Sequence, residues 1–240
     1  MRKIRTAAGL FLAAMVAASL MAVPATAAGR QDAKWFGTGN GKLTLVHGVP
    51  GANGFPVDIS VYRLAVGSQV FEDVTFGTVA GPLELRSGIY RVAIREAGAP
   101  RYSSPILSKW LWLGSGANMS VVAHLKADGS PTITAYRNDV SPTGGDARVI
   151  VRHDAAAPAV DVLAGRTAVI SGLRNPNQAA IEVPGGTYPI SVTPAGAGYA
   201  NRVFGPADLE FKANKVTIVY AVGSLAGGSF TPLVQVLPAG

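Results

Sequence analysis

Apolar and polar residues alternate along this chain in short runs. "KLTLVH", "VDISVY", "IYRVAIRE", "NMSVVAHL" and "TITAYR" all follow a period of two and are rich in Val, Ile, Thr and Tyr. That is the pattern of strands with one face turned to a core. In "IYRVAIRE" the side chains of Tyr90, Val92 and Ile94 share one face, and Arg91, Ala93 and Arg95 share the other. Turns bearing Gly and Pro separate the runs roughly every 8 to 15 residues, the rhythm of a β-sandwich. Beyond the N-terminal segment no window has the spacing of an amphipathic helix of three turns. The pattern predicts an all-β protein built of antiparallel β-sandwiches, each of about seven strands and either immunoglobulin-like or prealbumin-like in layout.

The runs also recur. "LTLVHGVPGANGFPVDISVY" (Leu43–Tyr62) has the shape of "RVIVRHDAAAPAVDVLAG" (Arg148–Gly165): an aliphatic strand, a His, a small-residue loop with Pro, then Val-Asp. "LELRSGIYRVAIREAGAP" (Leu83–Pro100) lines up with "IEVPGGTYPISVTPAGAG" (Ile181–Gly198), and "GANMSVVAHL" (Gly116–Leu125) with "KANKVTIVYA" (Lys212–Ala221). "SPTITAYRND" (Ser130–Asp139) matches the closing "FTPLVQVLPA" (Phe230–Ala239). Four collinear segments at an offset of about 96 to 106 residues point to two tandem copies, too long a period for a solenoid. The expected organisation is a signal peptide over 1–27, a flexible lead-in over 28–41, a first sandwich over 42–140, a linker over 141–145 and a second sandwich over 146–240.

The start of the chain changes the reading of its charge. Arg2, Lys3 and Arg5 precede an apolar stretch from about Ala7 to Val23, followed by Pro24 and the small-residue site Ala25-Thr26-Ala27. This is the pattern of a Sec-type secretory signal peptide cleaved near Ala27. Its removal takes three of the 21 basic residues and none of the 14 acidic ones, so the net charge falls from +7 to 18 − 14 = +4. No run of Lys or Arg concentrates that excess, so a nucleic-acid partner is not expected. With no Cys there is no disulfide framework and no site for a lipid anchor. No second apolar stretch approaches 18 residues, so stable membrane insertion after cleavage is not expected. The expected location is extracellular or at the cell wall.

The phrase "VRHDAAAPAVDVL" resembles the opening signature of a bacterial family, domain of unknown function 4397: a strand, a His, a short Pro-containing loop and Val-Asp-Val. "VPGGTYPISVTPAG" resembles that family's Gly-x-Tyr strand and the small-residue turn after it. The second copy carries the closer resemblance. The first departs from it with Gly48, where the pattern has a small polar or acidic residue, and with three extra residues between His47 and Asp58. The resemblance implies all-β domains of exported or envelope-associated proteins, with no established activity or catalytic residues.

Two constellations are candidates for chemistry. The first is the His/Asp corner, His47 with Asp58 and His153 with Asp154 and Asp161. Such groups could hold a metal, but transition-metal sites need three or four ligands in firm geometry. The alternative is that each Asp accepts backbone N–H bonds and each His closes the corner. The second is "KWLWL", where Trp110 and Trp112 share one strand face. Two aromatic faces in line could form a platform for sugar rings, with Arg101 or Lys109 supplying polar contacts. Core packing is the competing reading, since Leu209 and Phe211 fall in the matching places of "DLEFK". For hydrolysis, the three His (His47, His124, His153) come with no G-x-S-x-G elbow, and His124 lies where the second copy has Tyr220.

The expected function is therefore a non-enzymatic binding or structural module without a cofactor, whose partner is an extracellular protein or glycan. A metal- or small-ligand carrier using the His/Asp corner is the alternative, and a hydrolase of envelope or extracellular substrates the third. Exposed sheet edges keep self-association open.

Overall fold

The computed structural model describes residues 39–51, 56–64 and 67–240. The signal peptide and most of the lead-in expected from sequence lie outside the described residues. Eight strands make the first half: β1 (Asn40–His47), β2 (Val57–Arg63), β3 (Gly67–Val74), β4 (Val79–Arg86), β5 (Gly88–Glu96), β6 (Leu107–Leu113), β7 (Asn118–Leu125) and β8 (Pro131–Arg137). Eight more make the second: β9 (Ala147–Ala156), β10 (Val160–Ala164), β11 (Thr167–Leu173), β12 (Gln178–Val183), β13 (Gly186–Pro194), β14 (Phe204–Phe211), β15 (Lys215–Ser224) and β16 (Thr231–Pro238). Among the described residues the one helical turn is a 3-10 turn, Tyr199–Asn201.

The first half forms two sheets, β4-β1-β7-β8 and β3-β2-β5-β6, and the second forms β12-β9-β15-β16 and β11-β10-β13-β14. Adding eight to each strand number of the first half reproduces the second. Each half has eight strands rather than seven. The pairings β1–β7 and β9–β15 are parallel, so one sheet in each sandwich is mixed. Because β1 and β2 lie in different sheets, the layout is not the immunoglobulin one, in which the first two strands share a sheet.

Three apolar cores stack the four sheets. Leu43, Leu45, Val121 and Ile133 meet Ile59, Val92 and Leu111 inside the first sandwich. Val149 and Val151 meet Val162, Ile170 and Phe211 inside the second. Between them, Val46, Val122 and Tyr136 of β4-β1-β7-β8 pack against Ile150, Ile218, Tyr220, Val222 and Leu237 of β12-β9-β15-β16. The sheets therefore run outer, inner, inner, outer. The inner strands are covered on both faces: β1 is buried without a break from Leu43 to His47, and β15 from Val216 to Gly223. A strand buried on both faces reads as a continuous apolar run. The edge strand β12 of an inner sheet and β14 of an outer sheet keep the alternation of a half-exposed sheet.

Candidate functional site

The corner residues go to separate tasks. Asp58 accepts backbone N–H bonds from Asp73 (3.1 Å) and Gly98 (3.0 Å), and Asp161 accepts them from Gly172 (2.7 Å) and Gly196 (2.9 Å). In each sandwich one donor sits at a bulge with positive φ, Asp73 at 53° and Gly172 at 64°. The two backbone bonds hold the Asp161 carboxyl below its ordinary range. His153 does not face Asp161. Its Nε2–H donates to the Pro158 carbonyl (2.9 Å), closing the corner, and its Nδ1 lies 3.4 Å from the Ala155 N–H. His47 is buried with neither ring nitrogen hydrogen-bonded, and burial depresses its pKa to about 4. Among the described residues no three His, Asp or Glu side chains come together in a metal-binding group.

Asp154 points the other way, into the junction between the inner sheets. Its Oδ1 lies 2.6 Å from the Tyr136 Oη of β8, and its Oδ2 has no hydrogen-bond partner. His124 of β7 approaches to 3.7 Å through Nε2, but that nitrogen is engaged by the Thr134 hydroxyl (2.8 Å). The other His124 nitrogen bonds the Leu125 carbonyl (2.9 Å) rather than an acid. A hydroxyl, an imidazole and a carboxylate are thus close together, yet His124 and Asp154 are sealed from solvent and no acid orients the ring. The sequence alignment of His124 with Tyr220 is shifted by two residues. Carrying the β1–β7 register one step on puts His124 beside Gly48, and β9–β15 puts Val222 beside Asp154, so Val222 holds the matching place.

Around this point the junction is crossed by a polar network. Arg152, wholly buried, donates to Gln178 Oε1 (2.9 Å), Tyr220 Oη (3.1 Å) and Asn138 Oδ1 (2.8 Å), and its guanidinium lies over the Tyr136 ring at 4.3 Å. Tyr220 Oη reaches Gln235 Oε1 (2.6 Å), and Gln235 Nε2 donates to Thr44 Oγ1 of β1 (2.7 Å). The Asn175 amide donates both to Leu125 of one sandwich and to Ala155 of the other, each at 2.7 Å. Such a network specifies one way of docking the two sheets, because a displaced partner would strand a buried polar group.

The tryptophans lie at the surface. β6 is an edge strand, and Trp110 and Trp112 remain 55% and 56% exposed while Leu111 and Leu113 fill the core. The expected match with Leu209 and Phe211 is off by one. Gly88 and Tyr90 pair with Leu113 and Leu111, just as Gly186 and Tyr188 pair with Phe211 and Leu209. Asp208 and Glu210 therefore hold the places of Trp110 and Trp112. Cross-strand rows Tyr62–Arg91–Trp110 and Ile89–Trp112 build the face, with the Arg91 guanidinium 5.8 Å from the centre of the Trp110 ring. Arg101 and Ser108 border it: Tyr62 Oη bonds the Arg101 carbonyl, and Arg91 donates to Ser108 Oγ (3.1 Å). Leu64, Val70 and Ile106 add exposed apolar surface to this sandwich.

The model of the family described as Domain of unknown function (DUF4397) matches residues 41–163, from β1 through most of β10. Curated proteins give no match. Solved structures give distant likenesses. The TIE protein of Bacillus anthracis is 17% identical with a TM-score of 0.24, over 77% of this chain and 33% of its own length. The fimbrial anchor protein Mfa2 of Porphyromonas gingivalis is 12% identical with a TM-score of 0.20, over 82% of this chain and 96% of its own. At these scores neither likeness bears on function.

Proposed function

This chain belongs to the DUF4397 family, and we propose that it is an exported, non-enzymatic binding module that recognises an extracellular protein or glycan through the outer face of its first sandwich. The observation that carries this reading is the pair Trp110 and Trp112, both more than half exposed on one sheet face beside Ile89 and Arg91. Large aromatic side chains beside an Arg are the residue types enriched where proteins meet partners. They also suit the apolar faces and hydroxyl rims of sugars. Export rests on the charged, apolar and small-residue order of residues 2–27.

A glycan array and a pulldown from culture medium, each run with wild type and with Trp110→Ala/Trp112→Ala, test the proposal. Binding to at least one glycan or protein by wild type, lost at unchanged thermal stability in the double variant, supports it. A double variant that keeps every interaction of the wild type overturns it.

A further inference from the structure

Asp154, Tyr136 and the Pro176 carbonyl stand in a row across the junction, and their protons can be counted. Tyr136 Oη lies 2.6 Å from Asp154 Oδ1 and 2.8 Å from the Pro176 oxygen. A phenol has one proton, and a carbonyl oxygen only accepts. If Asp154 is ionised, Tyr136 gives its proton either to the carboxylate or to Pro176. The bond not chosen becomes a short oxygen–oxygen contact without hydrogen. If Asp154 carries a proton, it donates to Tyr136 and Tyr136 donates to Pro176, so every oxygen in the row is satisfied.

No neighbour supplies the missing proton. The groups facing Asp154 are Tyr136 from β8, His124 from β7, Tyr220 from β15, and Arg152 and His153 from its own strand. His124 and His153 each spend an N–H on a backbone carbonyl, and burial holds both below the ordinary histidine range. Three Arg152 N–H groups go to Gln178, Tyr220 and Asn138, and none bonds Asp154. Tyr220 Oη lies against Ser120 and Gln235.

We propose that Asp154 is a proton-operated latch between the two sandwiches: the protonated carboxyl completes the Asp154–Tyr136–Pro176 chain and holds the inner sheets together, and its ionisation breaks the chain and loosens the junction. Burial independently pushes this carboxyl from 3.8 to about 7, against the lowering effects of Tyr136, Arg152 and His153. Tyr136 and Pro176, two members of the row, also line a surface groove with Gly172, Arg174, Asn177 and Gln178, which leaves the buried Asp154 one residue from water. For a protein outside the cell, this makes the rigidity of the two-sandwich unit a function of ambient pH.

Hydrogen exchange of the full chain at pH 6.0 and 8.5, corrected for intrinsic rates, reads the latch at the amides of β8 and β9, with β5 as the internal control. A carboxyl that regains a pKa of 3.8 on opening from about 7 when closed lowers junction protection about tenfold between these pH values. Protonation of His124 or His153 would loosen the junction at the lower pH, the opposite direction. Asp154→Asn, which keeps a donor toward Tyr136 and never ionises, should show equal protection at both. Tyr136→Phe, which keeps the carboxyl but breaks the chain, should lower protection at pH 6.0 toward the wild-type value at pH 8.5. Wild-type protection equal at both pH values, or a tenfold change retained in Asp154→Asn, overturns the proposal. Should Asp154→Asn fail to fold, full protection in Tyr136→Phe at pH 6.0 overturns it equally.

Discussion

Gly48 is a point where the backbones of the two sandwiches come close, and replacing it tests the junction directly. It follows β1, where its N–H donates to Ala123 (2.7 Å) and its carbonyl accepts from Gly223 (3.3 Å) of the other sandwich. A Cβ added there would lie 2.5 Å from Val222 Cγ1, 2.7 Å from Val222 Cβ and 3.2 Å from the Ala123 oxygen. Carbon atoms settle at about 3.5–4.0 Å, so Gly48→Ala needs a displacement of about 1 Å. A rotation of Val222 can move Cγ1 but not Cβ, and β15 is clamped by β9 on one side and β16 on the other. Overpacking of this kind costs about 1–3 kcal/mol, offset by about 0.4–1 kcal/mol from the reduced freedom of the unfolded chain. The expected net loss is about 1–2 kcal/mol. Val222→Ala should relieve part of it, giving a favourable coupling of about 0.5–1 kcal/mol in a double-mutant cycle. Urea unfolding followed by circular dichroism is the assay, because Trp110 and Trp112 are exposed and report poorly on the core. Gly48→Ala as stable as wild type would refute the close face-to-face docking of the inner sheets.

Other substitutions probe the frame. His47 is neutral in the fold, with a pKa near 4 against 6.5 unfolded, so its contribution is full above pH 6.5 and is lost as pH falls toward 4. That window is worth about 3 kcal/mol. His47→Phe, which also removes two unpaired nitrogens, should flatten melting temperature against pH over this range at no cost near pH 7. Asp161→Ala should cost about 1 kcal/mol, its two backbone bonds being exposed and screened. The depressed Asp161 pKa means that this contribution is present above the ordinary carboxylate range and disappears as pH falls below it, which acid titration of the variant against wild type will show. Tyr90 Oη donates to the Arg86 carbonyl (2.7 Å) and Tyr188 Oη to Pro184 (2.8 Å). Tyr90→Phe should cost about 1 kcal/mol by urea unfolding, and Tyr188→Phe less because its hydroxyl is exposed.

The strands, their turns and the paired sheets were legible in period-two runs, because a sheet with one solvated face leaves that trace. The stacking of the two halves was legible in principle as well. "VIV" within "RVIVR" and "IVYAV" within "VTIVYAV" are runs without a polar break at every second place, which marks sheets covered on both sides. What sequence could not show was register. A slip of one residue turns a strand over, and aligning "KWLWL" with "DLEFK" by apolar character alone put Trp110 and Trp112 where Leu111 and Leu113 belong. The roles of the acids were half legible. Two Asp residues following Val at matched corners announced backbone binding, but nothing local distinguishes Asp154, whose partner Tyr136 stands 18 residues earlier on a different sheet.

Matched positions then separate frame from contact. Asp58 and Asp161 do one job, as do Tyr90 and Tyr188, and these are positions where both sandwiches need the same thing. The positions that differ gather on two faces. On the junction, Gly48 answers to Asp154 and His124 to Val222, and each difference has its reason across the interface: Gly48 admits Val222, and Asp154 meets Tyr136 near His124. On the outer face, Trp110 and Trp112 answer to Asp208 and Glu210, and among the described residues nothing across from the tryptophans accounts for the difference. Solvation alone favours the acidic pair at such a site, since an exposed Trp keeps apolar area in water. The binding reading proposed for this face gives the aromatic pair a reason in a partner beyond this chain. Transplanting the second sandwich's choice, Trp110→Asp with Trp112→Glu, should leave the melting temperature within a few degrees of wild type and abolish capture of that partner. Unchanged capture by this variant would show that the two tryptophans are surface drift.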